Sequence, residues 1–227
     1  MEKTFIVLSE KKWHKQVYAA LKLKFGEFKW VLIDQKEEFN LVNLENLKPE
    51  KIFIPHWSYI IPASIYENYE CIVFHMTDLP YGRGGSPLQN LIVRGKTETK
   101  ISALRVEKGL DTGDIYLKKP LSLSGTAEEI FIRSSSIIEQ MIEEIVSENP
   151  SPKKQEGEIV LFQRRKPEES NIESISETKE VYDYIRMLDC EGYPNAYLEN
   201  ESFKFEFFNA TESSNNEIIA NVRIIKK

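Results

Sequence analysis

Four short apolar runs decide what this chain can fold into: TFIVLS at 4–9, FKWVLID at 28–34, KIFIP at 51–55 and ECIVF at 70–74. Each has the length of a strand, and stretches with helical period separate them. The first of these, KKWHKQVYAALKLKF, sets Trp13, Val17, Ala20, Leu21 and Phe25 on one helical face and stops at Gly26. The second, LVNLENLKP, is closed by Pro49. Strands that alternate with helices in this way form an open, mostly parallel, twisted sheet with crossover helices on its faces, an α/β fold of Rossmann-like kind.

Beyond residue 75 the pattern changes. The loop in FHMTDLPYGRGGSPLQNLI leads to a helix that Ser86 or Gly85 can cap, with Pro87 at its first position and Gly95 at its end. TKISALRVE and DIYLKKPLSL are strand-like and flank the loop KGLDTGD. The longest helical pattern follows, opened by Thr126 with Glu129 three residues on, the signature of a capping box. The polar stretch NPSPKKQEGE then suggests a catalytic domain over 1–150. Residues 151–227 are read as a linker and a small α+β subdomain, with a helix in ETKEVYDYIRMLD and strands in FKFEFFNA and IIANVRII.

Composition narrows the partners. The 36 acidic against 30 basic residues give a net charge of −6, which argues against nucleic acid as the main partner. Cys71 and Cys190 are too far apart in sequence to form a metal-ligand pair, and Cys71 reads as a core residue of a reducing compartment. No metal site is expected. The apolar stretch near the N-terminus is too short for a signal peptide and no run reaches membrane-spanning length, so a cytoplasmic protein without a membrane partner is expected.

Chemistry gathers around the histidines. His14 lies among lysines in the first helix and reads as a solvated surface residue; His56 and His75 each follow a strand. Ligands of open parallel sheets bind outside the carboxyl ends of the strands, which puts His56 and His75 on one rim. A lone histidine there can equally be structural. Asp111, 36 residues after His75, and Asp114 shift that balance, because one helix and one strand suffice to bring their loop back beside His75. A carboxylate beside an imidazole fixes the tautomer and supports an acid/base role, although aspartates between glycines are also ordinary turn chemistry.

The run from FHMTDLPYGRGG through EKGLDTGDIYL resembles the core of the formyltetrahydrofolate-dependent formyltransferases. The pattern of that family is N-x-H-x-S-x-L-P followed by a loop L-D-x-G, and the interval from histidine to aspartate agrees. The resemblance implies N10-formyltetrahydrofolate as co-substrate, with His75 as acid/base and Asp111 supporting it. It places the folate along Tyr59, Ile60, Ile61, Val106, Gly109, Leu110 and Asp111. The family's asparagine falls at Val73 and its serine at Thr77. Valine donates no hydrogen bond, so the oxyanion role is either lost or passes to His56, to Asn90 or to a backbone N–H of the glycine loop.

The segment FQRRKPEESNI and the following VYDYIRMLDCEGYPNAYL are similar to the sugar N-formyltransferases, in particular those of pseudaminic-type sugar pathways. That similarity implies a nucleotide-linked amino sugar as the amine substrate. Its contacts would come from His56, Thr77, Arg83, Gly84, Asn90, Arg164 and Arg165, with the two latter arginines as fork donors to a diphosphate. Tyr193 and Tyr197 could pack on a base or in a core. Two alternatives stand beside this reading. One is an enzyme like methionyl-tRNA formyltransferase, and the other is a folate-fold binding module that has lost catalysis. A homodimer is possible.

Overall fold

The computed structural model describes residues 3–213 and 216–227. It forms two compact units, the first built from the residues through Arg83, Lys100–Leu121 and Ile132–Leu161, the second from Gly84–Thr99, Ser122–Phe131 and Phe162–Lys227. The spans 1–150 and 151–227 expected from sequence are contiguous. The units are not, because the stretch around the glycine loop and the start of the longest helix belong with the C-terminal residues.

In the first unit, β1 (Thr4–Ser9), β2 (Lys29–Ile33), β3 (Lys51–His56) and β4 (Cys71–His75) join β6 (Glu98–Arg105) and β7 (Ile115–Ser122) in one sheet. Its order is β2-β1-β3-β4-β6-β7. The first four strands pair in parallel, whereas β6 runs antiparallel to β4. All six residues of β1 are buried, as the continuous apolar run required of a strand covered on both faces. Helices α1 (His14–Lys24), α2 (Leu41–Leu47) and α3 (Ala63–Tyr66) connect the parallel strands. Ile6, Leu8, Ile52, Ile54 and Cys71 pack with Ile61 and Ile65 on one face of the sheet, and Val73 and Val106 lie against this cluster. Each such side chain taken fully out of water contributes roughly 1.5–3 kcal/mol. The α5 helix (Ala127–Glu148) buries Ile138, Met141, Ile142 and Ile145, the spacing of one helical face.

His14 corrects the sequence reading. The buried positions of α1 are His14, Val17 and Leu21, with Trp13 and Ala20 only half-buried. The imidazole is drawn inward because Ser9 Oγ lies 2.7 Å from its Nδ1. Burial, followed by the proximity of His56 and Lys11, pushes its pKa down to about 3. Other local expectations hold. Thr126 N–H donates to Glu129 Oε2 at 2.8 Å and Glu129 N–H to Thr126 Oγ1 at 3.3 Å, closing the capping box. Neither cysteine is in a disulfide and both are buried, and burial pushes the Cys71 thiol up to about 12. Among the described residues no helix is long and apolar enough to cross a membrane.

The second unit contains α4 (Pro87–Ile92), α6 (Thr178–Arg186), β9 (Ala196–Glu199), β10 (Phe203–Ser213) and β11 (Glu217–Lys226). The last three strands form a sheet in the order β11-β10-β9. Pro87 opens α4 as its sequence indicates, but the Ser86 side chain does not cap the helix. Its hydroxyl accepts from Arg165 N–H instead. Strands β5 (Tyr81–Gly84) and β8 (Val160–Phe162) make a two-stranded ribbon. Gly84 has φ +117°, and a Cβ there would lie 2.2 Å from the Phe162 carbonyl oxygen, so only glycine fits.

Candidate active site

His75 closes β4 and is buried. Its Nε2 lies 2.8 Å from the Gly82 carbonyl oxygen, which can only accept. The ring therefore carries a proton on Nε2, and Nδ1 presents a lone pair when the ring is neutral. Asp111 Oδ2 stands 3.7 Å from Nδ1, beyond a hydrogen bond but close enough to stabilise an imidazolium. Sequence reasoning paired these two residues, and the structure brings them together. Asp114 stands just before β7, its backbone carbonyl accepting from Arg105 N–H.

The loop that delivers Asp111 leaves β6 at the far end of the sheet and crosses the face that carries Val106. Asp111 itself has φ +54°, a conformation that aspartate tolerates better than most residues. Gly113 passes so near the Arg105 carbonyl that a Cβ would sit 1.8 Å from its oxygen. A residue that sequence reasoning left in a polar linker pins this loop. Gln155 Nε2 donates to the carbonyls of Asp111 and Gly113, at 2.8 Å each. Its Oε1 accepts from Arg83 Nε and Nη2 at 3.1 and 2.8 Å. Arg83, expected on the substrate, is thus the brace of the glutamine. No period or motif marks a glutamine whose partners lie more than forty residues away.

The other side of His75 is braced by its own loop. Thr77 Oγ1 donates to the Gly82 carbonyl, and Ser102 Oγ–H donates to Thr77 O at 2.7 Å. Thr77 is fully buried and acts on the histidine's acceptor. His56 reaches the same level on the neighbouring strand, since Ile54 lies opposite Val73 and two further residues lead to His56 and His75. By strand alternation His75 projects from the face that carries the apolar cluster, whereas β3 shifts register between Phe53 and His56, so that His56 pairs with Ser9. Burial holds the His56 pKa down at about 4, so near neutral pH it is an uncharged donor. Val73 packs on the cluster and offers no donor.

The segments expected to hold a pterin ring divide by exposure. Ile61 is in the cluster and Val106 against it, whereas Tyr59, Ile60 and Leu110 are exposed, Ile60 at 92% and Leu110 at 65%. Gly109, with φ +111°, is exposed beside Leu110. Trp57 meets Tyr59 edge to face at 5.5 Å, and the Lys36 ammonium sits 4.2 Å from the Tyr59 ring centroid. Uncovered apolar surface of this kind suits a flat heteroaromatic ligand.

The remaining candidates lie in the second unit. Asn90 is buried and committed, its Nδ2 donating to the carbonyls of Gly85, Ser86 and Gln163 while Oδ1 accepts from Arg94. It has no donor left for an oxyanion. Gly84 serves the ribbon described above. Arg165 Nη2 donates to the Glu169 carbonyl at 2.6 Å and its guanidinium lies over Tyr184 at 5.2 Å, so the expected diphosphate fork is already engaged. Arg164 is exposed. Tyr193 stacks on Phe131 at 5.5 Å with its hydroxyl pushed up to about 12 by burial, and Tyr197 lies under Lys204. Among the described residues no group of His, Cys, Asp and Glu is arranged to hold a metal.

A family model described as Formyl transferase matches residues 8–133, and one described as Methionyl-tRNA formyltransferase, C-terminal domain, matches residues 167–225. The chain is 48% identical to a solved methionyl-tRNA formyltransferase from Clostridium thermocellum, with a TM-score of 0.96 over 99% of this chain and 100% of that one. It is 28% identical over 201 residues to methionyl-tRNA formyltransferase of Francisella philomiragia, covering 85% of this chain and 64% of that protein. Against other curated relatives of the same name it spans 55% and 58% of their length. A sugar N-formyltransferase from Shewanella shares the fold, with a TM-score of 0.71 over 93% of this chain and 98% of that one, at 17% identity.

Two expectations fall to these matches. The nucleotide-linked amino sugar rested on the arginine pair and the segment after it, yet that region matches the C-terminal domain of the tRNA enzymes and the sugar-enzyme likeness is one of fold. The exclusion of nucleic acid rested on a net charge of −6. The relatives are named for a tRNA substrate, and a total over the whole chain says little about one face.

Proposed function

We propose, for a chain that belongs to the formyl transferase family, that it moves a formyl group from N10-formyltetrahydrofolate to the α-amine of methionyl-tRNA. The observation that carries the reaction is the clamped His75, with Nε2–H on the Gly82 carbonyl and Nδ1 facing Asp111. The neutral amine attacks the formyl carbon, a C–N bond forms, and His75 Nδ1 takes the proton the amine gives up. Asp111 supports the resulting imidazolium. The same proton is then returned to the departing folate N10 as its bond to the formyl carbon breaks, which leaves His75 neutral for the next cycle. His56 is the side-chain donor assigned to the oxyanion, because it is uncharged and near the level of His75, whereas Val73 and Asn90 have nothing to donate. Such preorganised donors usually supply the largest single catalytic contribution.

The folate donor would lie along Ile61 and Val106 with Tyr59, Ile60 and Leu110 as uncovered walls. The choice of methionyl-tRNA is supported by the 48% identity over nearly the whole chain and by the match of residues 167–225. The experiment is formylation of charged initiator tRNA by the purified chain. Formyl-methionine released from the tRNA is the expected product, and its absence with folded, folate-binding protein would remove the reading.

A further inference from the structure

The first unit holds a cavity of about 510 Å³ at the rim of its sheet opposite His75. Lys51 opens β3, Glu70 immediately precedes β4, Arg105 closes β6 and Tyr116 lies at the start of β7. These four strand ends all line the cavity. The strand from Glu70 to His75 spans roughly 16 Å, so the two places are separate. The rest of the lining includes the chain that leaves α5, residues 149–152. Pro150 and Pro152 have fixed φ, which stiffens that wall before anything binds.

The strand ends are joined by hydrogen bonds between groups nearly out of water. Lys51 and Tyr116 are each 7% exposed. Glu70 Oε1 accepts from Lys51 Nζ at 2.5 Å and from the Tyr116 hydroxyl at 2.8 Å. The Tyr116 oxygen in turn accepts from Arg105 Nε at 3.2 Å. Burial, then the bond to Glu70, pushes the tyrosine pKa up, so the hydroxyl keeps its proton. Lys51 and Glu70 neutralise each other. Arg105 is different: among the described residues it has no ion-pair partner, and its two terminal amino groups make no hydrogen bond. With Nε held on Tyr116, the edge left for a ligand is Nη1–Nη2, which takes a carboxylate or phosphate bidentately. Glu70 Oε2 and the side chains of Asn149 and Ser151 are likewise without a hydrogen bond among the described residues.

We propose that this cavity is a second small-molecule site, for a hydroxylated anion such as a polyol phosphate or a hydroxy acid. The anionic group sits on the Arg105 fork, and hydroxyls bond to Glu70 Oε2, Asn149 and Ser151. The lining rejects the other classes. A polyphosphate would meet Glu50 and Glu70, and a bare cation would meet Arg105 and Lys51. An apolar ligand would strand the charged groups without water.

Calorimetry on the full chain with sorbitol phosphate, gluconate and sorbitol tests the site. At least one of the two anions should bind at millimolar concentration or below, and sorbitol should not. The tighter of the two tells phosphate from carboxylate. Arg105→Gln should weaken that anion roughly ten- to hundredfold. His75→Asn should leave it unchanged, because the candidate active site is at the other rim. On wild-type protein, phenylglyoxal should modify Arg105, and the anion should protect it, as mass spectrometry of the digested chain reads. That measurement decides the matter even if Arg105→Gln fails to fold. The proposal is overturned if neither anion binds, if sorbitol binds as well as they do, or if Arg105→Gln leaves binding intact. A loss of binding in His75→Asn overturns it too, as does an Arg105 that phenylglyoxal does not reach or the anion does not protect.

Discussion

At the scale of single residues, the three histidines of this chain divide by role. His75 has its tautomer set by a carbonyl and its cation supported by a carboxylate, so His75→Ala and Asp111→Ala should each lower kcat on the order of a hundred- to ten-thousandfold with the fold retained. Steady-state rates beside thermal melts check this, and near-native turnover in either variant would remove that residue from its role. His14 and His56 bear on stability. Their folded pKa values are pushed down from 6.5 to about 3 and about 4. The unfolded chain therefore binds more protons between those values and 6.5, and stability rises with pH through that window. The stability is fully present above about pH 6.5 and is lost as the pH falls toward 4. The loss for the nearly inaccessible His14 is on the order of a few kcal/mol. Urea unfolding from pH 7 to pH 4.5 should show this decline, and His14→Gln should flatten it. An equal decline in wild type and variant would mean that His14 is not the group that titrates.

At the scale of elements, the loop from Val106 to Gly113 matters because it carries Asp111, and a single side chain holds it. Gln155→Leu removes both donors from the Asp111 and Gly113 carbonyls and leaves Arg83 without its acceptor. It should lower kcat by about tenfold, or about 1.4 kcal/mol of barrier, while the melting temperature changes by only a few degrees. Stopped assays at saturating folate measure it, and an unchanged kcat would show that the loop holds Asp111 without help. This is also where sequence reading succeeds and fails for physical reasons. The strands β1 to β4 were legible because burial forces continuous apolar runs. The His75–Asp111 pair was legible because one helix and one strand bring the loop back, although β6 runs antiparallel to β4 and ends at the opposite rim from His75. The burial of His14 was not, since one hydroxyl at Ser9 reverses what three neighbouring lysines suggest. Nor was Gln155, whose partners have no local signature. Arg164 and Arg165 looked like a diphosphate fork, but the short turn Pro167–Ser170 brings the Glu169 carbonyl, four residues on, against Arg165.

At the scale of the whole molecule, the proposed function has an acidic chain meet a polyanion. Binding of tRNA must then draw on a few local cations, among them the exposed Arg164 and Lys154. A small number of phosphate contacts predicts a moderate salt slope, with affinity falling roughly ten- to hundredfold between 50 and 200 mM salt. Filter binding at several salt concentrations would show it, and affinity indifferent to salt would exclude a phosphate-based contact. The measurement that tests the central claim most directly is single-turnover transfer of a labelled formyl group from N10-formyltetrahydrofolate to methionyl-tRNA, run in parallel with wild-type protein and His75→Asn. The account predicts label on the methionine amine with the wild type and a loss of at least about a hundredfold in rate with the variant. No label on the tRNA from folded wild-type protein, or equal rates for the two, would contradict it.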